Sequence, residues 1–193
     1  MGRVQDLLTG EDGLPRCGWA GTTGDYAEYH DQEWGRTLHG DDALFERLSL
    51  EGFQAGLAWI TVLRKREAFR TAFKNFQIDA VAALTKADVE DLLTNPGIIR
   101  SRAKIESAIH NAHIVRDLPD GLDAFLWSFA PTATRRRPKS FTQVPTQTPE
   151  STAMAKALKK NGVKFIGPTS AYALMQATGM VDDHLTGCFR AAK

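Results

Sequence analysis

The chain of 193 residues is 42% hydrophobic and 24% charged, a balance that excludes extended disorder over most of its length. Its net charge of +1 gives no overall attraction to nucleic acid, although a balanced total can hide one basic face. No apolar run approaches the roughly 20 residues of a membrane span. The first residues lack the apolar centre of a secretory signal, and Asp6 stands where N-myristoylation calls for Ser or Thr, so a cytoplasmic protein is expected.

Residues 1–14 read as a flexible arm in front of a single domain over 15–190. From about 41 to 75, Leu44, Phe45, Leu48, Ile60, Leu63, Ala68 and Phe69 recur at helical spacing. Gly52 and Gly56 are expected to break this stretch into two helices. Thr85 with Asp88 forms a capping-box pattern that predicts a short helix over 88–94. Asn95-Pro96-Gly97 is a turn. A longer helix follows from 101 to about 117, with Ile105, Ile109, Ala112 and Val115 on its inner face. Residues 122–129 predict a short apolar helix, and 130–149 an exposed connection rich in Pro, Thr and Arg. Ser151 is expected to cap a helix ending at Gly162, and a last helix spans about 170 to 178 and stops at Gly179. Residues 163–166 are the one plausible strand and fit a loop equally well. The class is all-α.

The two cysteines, Cys17 and Cys188, lie at opposite ends of the chain. They read either as free thiols or as metal ligands, because His30 follows Cys17 by thirteen and His184 precedes Cys188 by four. If the latter segment is helical, His184 and Cys188 share a face. Two thiolates and two imidazoles are a donor set that zinc favours in closed tetrahedral sites, with no open position for a catalytic water.

The segment from Leu92 through Asn95-Pro96-Gly97 and Ile98 to Arg100 resembles a helix-hairpin-helix element. A Gly-containing turn feeding a helix presents backbone N–H groups to a phosphate, and Arg100, Arg102 and Lys104 add charge. An ordinary corner between helices fits the same residues, and Ile99 stands where the usual hairpin has a second Gly. Arg64-Lys65-Arg66, Arg135-Arg136-Arg137 with Lys139, and Lys159-Lys160 are further basic runs that fit either DNA or solvent. Glu51 sits one turn from apolar Leu48 among small and aromatic residues. A carboxylate there needs a partner, because an unpaired buried charge is costly. The partner is either an arginine or a ligand.

Several segments together resemble the bacterial 3-methyladenine DNA glycosylase I family, of the helix-hairpin-helix superfamily. They are Arg16-Cys17-Gly18-Trp19; Tyr29-His30-Asp31-Gln32-Glu33-Trp34-Gly35; Leu50-Glu51-Gly52-Phe53-Gln54-Ala55-Gly56-Leu57-Ala58-Trp59-Ile60-Thr61-Val62-Leu63; Gly97-Ile98-Ile99-Arg100; Phe125-Leu126-Trp127-Ser128-Phe129; Lys159-Lys160 through Lys164-Phe165-Ile166-Gly167; and Val181-Asp182-Asp183-His184 up to Cys188. The resemblance implies a two-lobed helical fold whose ends are joined by one structural zinc ion on Cys17, His30, His184 and Cys188. It implies a monomer that removes 3-methyladenine from double-stranded DNA and leaves an abasic site. Glu51 would read the flipped base with help from Tyr29, and Trp19, Tyr26 and Trp59 would line or stack in the pocket. Gly97, Ile98, Arg100 and Arg102 would contact DNA, with Leu57 as the wedge that fills the gap left by the base. The first residues and the basic stretch 135–139 depart from the family pattern. A zinc-stabilised DNA-binding module is the competing reading, but phosphate binding has no use for the aromatic residues. A metallohydrolase is the other, and four protein ligands argue against it.

Overall fold

The computed structural model describes residues 5–133 and 136–191. Among these the main elements are a hairpin of β1 (Leu7–Thr9) and β2 (Pro15–Cys17), followed by ten α-helices, with three short 3-10 turns between them. These are α1 (Gly24–Gln32), α2 (Asp41–Gln54), α3 (Trp59–Leu63), α4 (Arg66–Ala72), α5 (Ile78–Ala82), α6 (Lys86–Thr94), α7 (Arg102–Arg116), α8 (Gly121–Trp127), α9 (Pro149–Lys160) and α10 (Pro168–Ala177). No helix among the described residues is long and apolar enough to cross a membrane.

Helix α2 is the axis of the core. Leu44, Phe45, Leu48, Leu50 and Phe53 are all buried on it, and it packs against α3, α5, α7, α8 and α10. Each such side chain contributes about 1.5–3 kcal/mol by burial, and Phe53→Ala would cost about 3–5 kcal/mol through the cavity left between Phe69 and Phe73. Ile105, Ile109, Ala112 and Val115 form the inner face of α7, as their spacing predicts.

Several boundaries differ from the sequence expectations. Gly52 stays inside α2, and the break falls at 55–58, where Gly56 has φ +80. The region 41–75 therefore holds three α-helices and a 3-10 turn, Lys74–Phe76, whose residues all have positive φ. Helix α6 starts two residues early because Thr85 is its N-cap and Asp88 the third residue of a complete capping box. Thr148, not Ser151, caps α9. Ser151 is the reciprocal partner, and Pro149 takes the first helical position, where its missing N–H costs nothing. Helix α10 likewise opens on a proline, Pro168. Residues 163–166 form a loop and no strand, with Phe165 at φ +64. The segment 184–188 is irregular, so a shared helix face is not what joins His184 to Cys188.

The largest departure is at the N-terminus. Residues 7–17 are an antiparallel hairpin and not an arm, with Leu7 opposite Cys17 and Thr9 opposite Pro15. The chain packs so closely here that a Cβ on Gly18 would fall 1.8 Å from the Gln5 carbonyl oxygen. Glycine is therefore obligatory at the exit from β2.

Candidate active site and metal centre

Cys17 ends β2, His30 lies in the last turn of α1, and His184 and Cys188 lie beyond α10. The fold brings one ligand atom from each within 4.8 Å of all the others, and all four residues are buried. Cys188 Sγ is 3.4 Å from His30 Nε2 and 3.7 Å from His184 Nδ1, and Cys17 Sγ is 3.9 Å from His184 Nδ1. Tetrahedral zinc with bonds of about 2.0–2.3 Å places its ligand atoms about 3.3–3.8 Å apart. The two ring nitrogens that face away from the cluster are engaged: His30 Nδ1 with Asp31 Oδ1 at 2.8 Å, and His184 Nε2 with the Trp34 carbonyl at 3.2 Å. Such outer contacts fix the ring orientation of a ligating histidine. Contact with Cys188 and burial push the Cys17 thiol up. Cys17, His184 and His30 favour the Cys188 thiolate. Crowded sulfurs of this kind are relieved by a divalent cation, and the donor set fits one closed zinc site.

Next to this cluster lies a cleft of about 250 Å³. Trp19, Tyr29, Trp34 and Trp59 form its aromatic wall, Glu51 and Gln54 come from α2, and Ala173, Gln176 and Ala177 from α10. Trp19 meets Trp34 edge-on at 5.1 Å, and Tyr29 lies 5.6 Å from Trp59. Tyr26 stands behind this wall and does not line it. Its ring meets Trp19 edge-on at 5.8 Å, and its hydroxyl accepts from the Ile60 N–H at 2.9 Å, which fixes the start of α3 and so Trp59.

Glu51 is 5% exposed and has no hydrogen-bond or ion-pair partner among the described residues. The arginines that could have neutralised it are taken by other acids. Arg47 and Arg66 bind Glu33 at 2.5 and 2.6 Å, and Arg64 binds Asp25 at 2.7 Å. Burial pushes the Glu51 carboxyl up to about 8, and the Arg47 charge pulls only partly against it. Glu33 shows the contrast: its partial burial is outweighed by Arg66 and Arg47, which bring it down to about 2. Of the two partners open to Glu51 in the sequence, no arginine binds it among the described residues, and the cleft remains.

Trp34 and Gln54 belong to motifs recognised in the sequence but were given no role there. Gln54 is three residues after Glu51, a spacing that puts both on one helix face. Asp183, which like Trp34 and Gln54 lies in a recognised motif, completes the lining with Phe141 and Val144, which have no local sequence signal. Phe141 is held in place by its N–H, which donates to Asp6 of the N-terminal segment at 2.8 Å. Asp183 accepts from the Tyr172 hydroxyl at 2.5 Å and from Gln176 at 2.8 Å.

The DNA-contact candidates are divided. Gly97, Ile98 and Arg100 lie in the turn between α6 and α7, but the Ile98 side chain is buried in the core, while Arg100 is exposed. Arg102 makes a two-point pair with Glu90 at 2.7 and 2.8 Å, and Lys104 caps the end of α2 through the carbonyls of Phe53 and Ala55. Leu57 is 40% exposed on the 55–58 corner, beside Glu51 and Gln54. In the run 135–139, Arg135 lies outside the described residues and Arg137 pairs with Asp182. By contrast, Lys156, Lys159, Lys160 and Lys164, at the end of α9 and in the loop before α10, are exposed and form no ion pair among the described residues. Three of them border an apolar groove that runs from Phe165 to Ala55.

Comparison with known proteins finds relatives of this helical chain among DNA glycosylases. Residues 19–191 match the family described as methyladenine glycosylase. The DNA-3-methyladenine glycosylase of Haemophilus influenzae is 43% identical over 181 residues, 90% of this chain and 96% of the relative. A crystal structure of a 3-methyladenine DNA glycosylase I is 46% identical with a TM-score of 0.87, and the match covers 92% of this chain and all of that one. A variant of a 3-methyladenine DNA glycosylase I, solved in complex with 3-methyladenine, is 32% identical with a TM-score of 0.85, over 91% of this chain and 96% of that one. The chain belongs to the methyladenine glycosylase family.

Proposed function

We infer that this protein is a DNA glycosylase, a hydrolase of N-glycosyl bonds that removes 3-methyladenine from alkylated DNA. The observation that carries the reading is Glu51, a buried acid with no hydrogen-bond or ion-pair partner among the described residues, facing an aromatic cleft. The base must leave the duplex stack before its glycosidic bond can be reached. Aromatic faces then replace the lost stacking, worth about 1–3 kcal/mol per base. Methylation at N3 gives the attached adenine a positive charge, which electron-rich rings and a carboxylate both favour. Glu51 accepts from the exocyclic amine and balances that charge.

The reaction breaks the bond from the sugar C1′ to the base. The electron pair leaves with the base, which departs as neutral 3-methyladenine. Water bonds to C1′ and gives up a proton. The leaving group is already activated, so the site supplies extraction, discrimination and tolerance of positive charge on the sugar, and Glu51 is not assigned as the base that activates water. Cys17, His30, His184 and Cys188 would hold a zinc ion that supplies folding free energy and no bond chemistry.

For duplex DNA, Leu57 is the proposed wedge and Arg100 a phosphate contact. Two helical hairpins meet the 55–58 corner. In the first, α6–α7, Arg102 is already paired with Glu90. In the second, α9–α10, the lysines pair with no acid among the described residues, which supports the reading that this hairpin makes the main phosphate contacts and serves as the helix-hairpin-helix element. Incubation with methylated DNA and chromatography of the released bases tests the function. Free 3-methyladenine is the expected product, and binding without release would favour the non-catalytic module.

A further inference from the structure

The N-terminal hairpin grips three of the four residues of the Cys/His cluster. Strand β2 runs directly into Cys17. The Pro15 carbonyl accepts from the Phe189 N–H at 2.8 Å, next to Cys188. Arg16 reaches the third, His30, through Asp31. Its Nε and Nη2 donate to Asp31 at 2.9 and 2.8 Å, and the other carboxylate oxygen of Asp31 meets His30 Nδ1 at 2.8 Å.

Arg16 is itself fixed from outside. Its side chain is 6% exposed, and Asp12 in the hairpin loop clamps it with contacts of 3.0 and 2.6 Å. The Leu14 carbonyl takes a further N–H, and the Phe189 ring lies 5.2 Å from the guanidinium carbon. A planar guanidinium can serve two carboxylates at once in a fixed geometry, which an ammonium cannot. Asp12 lies before the matched family region, which begins at residue 19.

We propose that Arg16 is a positioning residue for the metal centre. Clamped by Asp12, it locks Asp31 onto His30, so that the ring presents Nε2 to the ion. The proposal rests on the reading of the cluster as a zinc site. Loss of the group that holds a ligating histidine, here Asp31, typically costs about 10–100-fold in metal affinity, and Arg16 acts through that group.

The test uses the full chain loaded with zinc, with metal content measured first. Release to a colorimetric chelator is then followed for the wild type, Arg16→Gln, Arg16→Lys, Asp12→Asn and Asp6→Ala. Arg16→Gln should release zinc at least about 10-fold faster. Arg16→Lys should recover part of the loss, and Asp12→Asn should release it a few-fold faster. Asp6→Ala loosens the same hairpin at Phe141 without touching the chain of contacts, and should release zinc at the wild-type rate. In cobalt-substituted protein, the visible bands should shift for Arg16→Gln and not for Asp6→Ala. Asp12 is half-exposed, so its variant carries the test if Arg16→Gln does not fold. A wild type that binds no metal overturns the zinc reading and the clamp together. A zinc-loaded wild type with unchanged release in Arg16→Gln and Asp12→Asn, or equal acceleration by Asp6→Ala, overturns the clamp alone.

Discussion

Arg47 lies one helical turn before Glu51, yet its guanidinium turns to Glu33 at 2.5 Å and leaves the Glu51 carboxylate without a partner. The two residues sit at the i, i+4 spacing that normally favours an ion pair. Glu33 wins because it also binds Arg66 and so anchors α1, α2 and α4 to one another. The acid left over is the one in the cleft.

The burial of Glu51 makes it a cost to the fold. Its folded value of about 8 lies above the ordinary 4.5, so the native state holds a proton that the unfolded state has lost between these values. The associated stability is complete below about pH 4.5 and is lost as pH rises through 8. Glu51→Gln should therefore raise the melting temperature by roughly 5–10 °C at pH 8, from about 2–4 kcal/mol, and by little at pH 5. Calorimetry at the two pH values measures this.

The same ionisation should appear in the rate. If the carboxylate form engages the cationic base, kcat/KM should climb with pH and level off above about 8, because that ratio reports the free enzyme. Glu51→Gln should lack this rising limb. A wild-type profile flat from pH 6 to 9 would show that ionised Glu51 is not required.

Zinc should be present at about one ion per chain, and Cys17→Ser or Cys188→Ser should lose it. Because the site ties the N-terminal hairpin to the segment after α10, its loss should lower the melting temperature by at least about 5 °C. Elemental analysis and a thermal melt on the same samples check both statements.

DNA binding should weaken steeply with salt, with a slope set by the number of phosphates neutralised. Lys159→Ala and Lys164→Ala should each reduce that slope by about one. Arg102→Ala should change it much less, because Glu90 already holds that guanidinium. Equal effects at the two hairpins would remove the distinction drawn between them.

The readable parts of this fold are those governed by local chemistry. The Thr85/Asp88 box and the apolar face of α7 act within one or two turns, and both appear in the structure. The cap of α9 could have been placed, since Pro149 marks a first helical position and so points to Thr148. The N-terminal hairpin could not. Its strands are three residues long, and its stability comes from Asp31 and Phe189, far along the chain. The four Cys/His residues were readable by donor type and Glu51 by its apolar surroundings. Phe141 and Val144 enter the cleft only through long-range packing, so no local pattern marks them, whereas Asp183 lies in a recognised motif that gave it no role.

The most direct test of the central claim measures two quantities on Glu51→Gln above pH 8, where the carboxylate is ionised: affinity for free 3-methyladenine and thermal stability. If Glu51 accepts a charge-assisted hydrogen bond from the base, affinity should fall by about 1.5–3 kcal/mol, roughly ten- to a hundredfold, while the melting temperature holds or rises. Unchanged base affinity with a lowered melting temperature would mean that Glu51 serves the fold, and would contradict its role as reader of the base.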